Sequence, residues 1–107
     1  MRWNITYYNH KVEKEILAWP DKLLANYLRI IEMVEKEGPD LGLPFTRAMG
    51  AGLFEIRAKS YLNIGRAFFC TLINKEIIIL HSFIKKTEKT PQKEIDLARK
   101  RMKEIKL

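Results

Sequence analysis

The sequence predicts an α+β fold: an N-terminal strand, a helical hairpin, a mainly antiparallel sheet of three to four strands, and a basic C-terminal helix. Three observations carry this. Apolar residues recur at helical spacing over residues 10–36, three β-branched and aromatic runs follow one another through tight connections over residues 53–83, and Thr90-Pro91 opens a last amphipathic stretch. The 107 residues suit one domain spanning 1–107 with a single core, and 47% hydrophobic with 31% charged residues is a globular composition.

The opening run RWNITYY is short, β-branched and aromatic, as a strand requires. Val12, Ile16 and Trp19 then fall on one helical face between His10 and Trp19, and Pro20 interrupts the helix because its ring collides with the preceding turn. A longer helix over Asp21–Lys36 buries Leu23, Tyr27, Ile30, Ile31 and Val34, and Gly38-Pro39 stops it. So short a break makes the two helices a hairpin packed on something flat. Residues 38–52, GPDLGLPFTRAMGAG, hold four of the five glycines and two of the four prolines, which makes them a loop with at most a brief strand near FTRAM.

Three strands follow in LFEIRAK, IGRAFFCTLI and EIIILHSF, joined by Tyr61-Leu62-Asn63 and by a two-residue Asn74-Lys75 turn, so they form an antiparallel meander. In the first, Phe54, Ile56 and Ala58 point one way, and Glu55, Arg57 and Lys59 point the other. In the second, Arg66 shares a face with Phe68 and Cys70. Both faces of the last two strands are apolar, which assigns them to the middle of the sheet. The final helix takes Thr90 as N-cap and Pro91 as first residue, with Ile95, Ala98, Met102 and Ile105 as its apolar stripe and Arg99, Lys100, Lys103 and Lys106 off it. Such a helix either docks on its own domain or is held by a partner.

Charge is distributed unevenly. The net charge is +7, yet residues 1–52 are neutral, residues 53–80 carry +2 and residues 81–107 carry +5. A localised cationic surface of this kind is made for phosphate or an acidic partner, with a solvated lysine-rich tail as the plain alternative. The lone cysteine, Cys70, lies in the apolar run AFFCTLI, so it is read as a buried inert thiol in a reducing compartment. No segment is long and apolar enough for a membrane span, and the start MRWNITYYNHK lacks a signal-peptide layout, so a soluble cytoplasmic protein is expected.

Several chemistries lack their residues. The two histidines, His10 and His81, are far apart and no Cys/His cluster exists, so no metal and no cofactor are expected. The glycine-rich MGAG lacks a P-loop lysine, and Ser82 points away from His81 on a strand. What remains is cationic: Arg57 and Lys59 on one strand, Arg66 on its neighbour, and Lys85, Lys86 and Lys89 at the end of the third. Guanidinium groups offer phosphate planar paired donors, lysine offers a mobile point charge, and crowding of cations disfavours one more, which can turn a lysine into a proton acceptor. Arg57 has a competing role as the partner of Glu55 on its own strand face, and the lysines a competing role as solvated turn residues. His81 reads first as a packed, hydrogen-bonded histidine and Phe83 as core, although both, with Lys59, sit where RNA contact is expected if the cations form a site.

Taken together, LFEIR, GRAFF and IIILHSFIKKTEKTPQKEIDLARKRM resemble the RelE/ParE toxin superfamily of type II toxin-antitoxin systems, in particular its HigB-like, phage-derived branch. The resemblance covers residues 41–106, and the lysine corner with its Thr-Pro pair is its specific part. It implies a compact toxin with two helices on one side of the sheet and a concave basic site. It also implies ribosome-dependent cleavage of mRNA by attack of a ribose 2′-OH on the adjacent phosphorus, with Arg57, Arg66, Lys85, Lys86 and Lys89 as catalytic residues. The implied partners are the ribosome, mRNA and a cognate antitoxin, helix-turn-helix and HigA-like, in a hetero-oligomer. A ParE-like gyrase inhibitor without nuclease activity is the alternative within the same fold, and a non-catalytic nucleic-acid-binding module is a third reading.

Overall fold

The computed structural model describes residues 2–106. Met1 and Leu107, the ends of the expected domain, lie outside the described residues. Five strands and three helices follow in the order β1 (Asn4–Tyr7), α1 (His10–Leu17), α2 (Asp21–Glu37), β2 (Thr46–Gly50), β3 (Leu53–Lys59), β4 (Ile64–Leu72), β5 (Glu76–Lys85) and α3 (Gln92–Lys106). The strands form one sheet in the order β1-β5-β4-β3-β2, antiparallel except for the parallel pair of β1 with β5. The α+β class and the central placement of β4 and β5 are as expected. The sheet has five strands: the expected N-terminal strand, β1, joins β5 as an edge, and the other four include residues 46–50, which form a full hairpin with β3.

Local chemistry explains the elements. Asn9 caps α1 by accepting a hydrogen bond from Val12 N–H at 2.9 Å, and α1 stops ahead of Pro20. Ile73, Asn74 and Lys75 join β4 to β5, one residue more than the expected two-residue turn, with Asn74 and Lys75 at φ of 63° and 58°. The helix after the lysine corner starts at Gln92, slightly beyond the expected Thr90 cap, and Glu94 N–H donates to Pro91 O in its first turn.

Helices cover both faces of the sheet. On one, α1 and α2 bury Val12, Ile16, Leu23, Tyr27, Ile30 and Val34 against Ile56, Ala58, Ala67, Phe69, Ile77 and Ile79. Phe54 and Phe69 stack across β3 and β4 with centroids 5.4 Å apart. Trp19 lies directly on Gly65, where a Cβ would meet the indole at 2.8 Å, so the glycine of GRAFF is what lets the helical hairpin approach the sheet. On the other face the stripe Ile95, Ala98, Met102 and Ile105 of α3 packs on Leu53, Phe68, Cys70 and Leu80. The basic helix thus docks on its own sheet. It covers the half of that face built from the start of β3, the end of β4 and the middle of β5, and beyond it Arg57, Phe83 and Lys85 are partly exposed while Glu55 and Arg66 are buried.

Candidate phosphate-binding site on the open half of the sheet

Pairing across three strands assembles the site. Arg57 on β3 stands directly opposite Arg66 on β4, Arg66 stands opposite Phe83 on β5, and Lys85 stands opposite Ile64 two pairs further on. Arg57, Arg66, Phe83 and Lys85 therefore leave the sheet on the face not occupied by the helical hairpin. Lys59, two residues beyond Arg57, follows it on that face at the exposed end of β3.

A β-bulge makes this arrangement possible. Phe68 pairs with His81 while Phe69 pairs with Ile79, so Leu80 is an extra residue in β5. Before the bulge the odd-numbered Ile77 and Ile79 point under the helical hairpin. After it the odd-numbered His81, Phe83 and Lys85 point to the opposite face, opposite or diagonal to Arg66 and Phe68. Without the extra residue Phe83 and Lys85 would face the wrong side. Two side chains of α3 hold the bulge: Arg101 Nη1 donates to Leu80 O at 2.7 Å, and His81 Nε2 lies 2.7 Å from Glu94 Oε1. Stacking of His81 on Phe83, with centroids 6.1 Å apart, extends this support to the floor of the open half.

Glu55 organises the arginines. It is 1% exposed, its Oε1 accepts from Arg57 Nη1 at 2.8 Å, and its Oε2 lies 3.6 Å from Arg66 Nε. Arg66 is itself 5% exposed and spends one donor on Gly65 O at 3.1 Å. Its guanidinium pKa is lowered, first by burial and then by the charges of Arg57 and Arg47, with Glu55 pulling the other way. An arginine stays protonated through such a shift, which records chiefly the cost of burying its charge and, after that, the field of its cationic neighbours. Arg57, with 27% of its side chain exposed, is the outer member of the pair.

The expected residues thus divide into groups. Arg57, Arg66, Phe83 and Lys85 share one open face, with Lys59 at its edge and His81 on the same face under the start of α3. Lys86 and Lys89 stay on the exposed connection between β5 and α3, where Thr87 Oγ1 donates to Lys89 O at 2.7 Å. The competing role of Arg57 as a partner of Glu55 is present, and His81 is indeed packed and hydrogen-bonded.

Sequence reasoning missed three residues. Arg47 pairs in register with Glu55 from β2, in a segment read mainly as loop, and the alternation of TRAM against FEI was the available signal. Glu55 was seen only as a partner for Arg57 and not as the carboxylate between two arginines. Glu94 meets His81 from another element, and no local pattern announces that. Cys70 is buried with its thiol pKa pushed up by burial, the behaviour of a packed thiol. Among the described residues no group of three or more His, Cys, Asp or Glu side chains is placed to hold a metal ion, and no helix is long and apolar enough to cross a membrane.

Comparison with known proteins sets this geometry in a family. Residues 14–103 match the model of the Phage derived protein Gp49-like family (DUF891). No curated protein matches the chain. Among solved structures, a chain of the archaeal RelE-RelB complex from Pyrococcus horikoshii OT3 superposes with a TM-score of 0.58 at 20% sequence identity, covering 84% of this chain and 100% of that one. At that identity the likeness speaks for the fold, and the family model speaks for the lineage. With its five-stranded mixed sheet and three helices, the chain belongs to the phage-derived Gp49-like family and is built on the RelE-like toxin fold.

Proposed function

We propose that this protein is the toxin of a type II toxin-antitoxin system, of the HigB-like kind, and that it cleaves mRNA on the ribosome in the cytoplasm. The observation that carries the reading is the direct opposition of Arg57 and Arg66 on the uncovered half of the sheet, with Phe83 and Lys85 beside them. Glu55 and Arg66 are closed to solvent, but Arg57 keeps 27% of its side chain exposed. The helix that could cover it, α3, lies over the other half of the face.

In this reading a phosphodiester enters over Phe83, on which a base stacks, and its non-bridging oxygens meet Arg66 and Arg57. The ribose 2′-oxygen forms a bond to the adjacent phosphorus and the bond to the 5′-oxygen breaks, giving a cyclic phosphate and a 5′-hydroxyl. A lysine of the corner, Lys85 on the strand or Lys86 and Lys89 on the loop, takes the 2′-OH proton, and the leaving 5′-oxygen gains one. Negative charge builds on the phosphorane as the new bond forms, and the arginines are worth most at that stage. Glu55 keeps both guanidiniums aimed before substrate arrives. A partner segment of acidic or amphipathic character, from a helix-turn-helix antitoxin, fits the basic C-terminal region, and the RelE-RelB complex supports a proteinaceous partner by analogy of fold.

In vitro translation of a defined message tests this. Codon-phased cuts by the wild type that vanish with Arg66→Ala support cleavage. Intact message together with gyrase-dependent DNA breaks would transfer the protein to the gyrase-inhibitor class.

A further inference from the structure

A second cationic feature lies away from the arginine pair, where the end of β3 meets α2. Lys59 N–H donates to Asn26 Oδ1 at 2.8 Å and ties strand to helix. Beyond it the connection to β4 is closed by Ser60 N–H donating to Asn63 O at 2.8 Å and Asn63 N–H donating to Ser60 Oγ at 3.2 Å. This frame holds the backbone of the turn while its two middle side chains project outward: Tyr61 is 98% exposed and Leu62 83%. On the α2 side of Tyr61 is a hollow of about 460 Å³ lined by Lys22, Asn26, Arg29 and Lys59. It contains three cations and no carboxylate, and among the described residues none of the three forms an ion pair. Asp21 lines the hollow on the other side of the turn, together with Lys22 and Leu62.

We propose that this ridge is a subsite for single-stranded RNA, with Tyr61 stacking on a base and Lys22, Arg29 and Lys59 neutralising the phosphates on either side of it. An exposed aromatic side chain standing beside unpaired cations is the combination that binds unstacked bases without regard to sequence. The ridge starts at Lys59, on the arginine face, and passes around the end of β3 to α2 on the hairpin face. Lys59 is two residues past Arg57 on the same strand, about 7 Å along it. An RNA chain leaving the arginines therefore meets Lys59 next, then Tyr61 at the turn, then Arg29 and Lys22 on α2. The inference rests on the cleavage reading for its biological meaning, since it names where message away from the arginine pair is gripped, but the binding is measurable independently.

The test is fluorescence anisotropy of the full chain with a short, labelled, single-stranded RNA whose riboses are 2′-O-methylated, so that binding is read without cleavage. Tyr61→Ala is expected to weaken binding roughly tenfold and Tyr61→Phe to restore it, because the ring and not the hydroxyl stacks. Arg29→Glu with Lys22→Glu is expected to lower affinity further and to flatten the salt dependence, by about 0.7 in log-log slope for each phosphate no longer neutralised. Tyr61 is solvent-exposed, so the variant keeps its thermal midpoint and the readout is not confounded by unfolding. Unchanged affinity in these variants, or no binding of this RNA by the wild type at low salt, overturns the proposal. So does Tyr61-dependent binding of an acidic peptide in place of RNA. If the wild type leaves messages intact in the translation assay while Tyr61-dependent RNA binding persists, the cleavage reading fails and the ridge stands. Phased cleavage by a protein whose RNA affinity is indifferent to Tyr61→Ala removes the ridge and leaves the cleavage reading standing.

Discussion

The face of the sheet under the helical hairpin and the face under α3 use the same central strands, yet the first is sealed and the second is left half open. Under the hairpin, Ile56, Ala58, Ala67, Phe69, Ile77 and Ile79 are all wholly buried hydrocarbon. Under and beside α3, Phe68, Cys70 and Leu80 are just as buried, but Glu55 and Arg66 are buried with them. Burying charge is unfavourable, and an ion pair in that setting roughly offsets its own desolvation without adding net stability. The hairpin face therefore holds the fold together, while the other face tolerates an expensive arrangement that packing alone does not require. That difference is the physical reason for seeking function on the second face.

The comparison is broken most directly from the sealed side. Phe69→Ala is expected to cost about 3–5 kcal/mol, read as a lower denaturant midpoint, because a fully buried ring leaves a cavity under the hairpin. A loss below about 1 kcal/mol would mean that this face is not what holds the fold together.

On the open side, Arg66→Lys is expected to reduce cleavage by roughly 10²–10³-fold while the protein remains folded. Lysine keeps the charge but loses the planar fork, so near-normal activity in that variant would show that only charge matters. The two effects should dissociate. Phe69→Ala is a stability variant, and Arg66→Lys is an activity variant.

Glu55→Gln sharpens the contrast, because it keeps the shape and removes the charge between the arginines. It is expected to destabilise by about 1–3 kcal/mol, as two guanidiniums lose their counter-charge. Tighter RNA binding with slower turnover is expected from the same variant, since phosphate no longer competes with a carboxylate while the arginines lose their aim. A stability change with no kinetic change would reduce Glu55 to packing.

The smallest effect belongs to pH. Tyr27 is wholly buried with its hydroxyl 3.0 Å from that of Tyr7, and burial raises its pKa well above the ordinary tyrosine value. Tyr7 is raised as well, again mainly by burial. A raised folded-state pKa means that the unfolded chain releases the proton first. The contribution of this pair to stability should therefore be constant below about pH 10 and be lost as pH climbs beyond it. Tyr27→Phe is expected to flatten that alkaline limb in thermal melts.

Much of this was legible from residue spacing. The α2 stripe Leu23, Tyr27, Ile30, Ile31 and Val34 is buried in full, and Ala98 and Met102 are the buried members of the α3 stripe. The common face of Glu55 and Arg57 follows from period-two alternation. The strand at Thr46–Gly50 was obscured by the glycines and proline around it, which signal a loop locally even though β3 supplies a pairing partner. The parallel pairing of β1 with β5 joins residues some seventy positions apart, and no window of sequence contains it. Glu94 could not be linked to His81 from composition, because the docking of α3 brings them together.

Periodicity by itself determined which residues share a side within each helix and strand, because side-chain direction follows from backbone geometry over a few residues. Tertiary structure decided which sides face each other. The bulge at Leu80 reverses the alternation of β5 and sends Phe83 and Lys85 to the arginines, and it is held by Arg101 on Leu80 O and by Glu94 on His81, both from a helix packed later in the chain. A strand's pattern is local, whereas its register and its irregularities are settled by distant partners, so the cationic site could be anticipated as a set of residues but not as a surface.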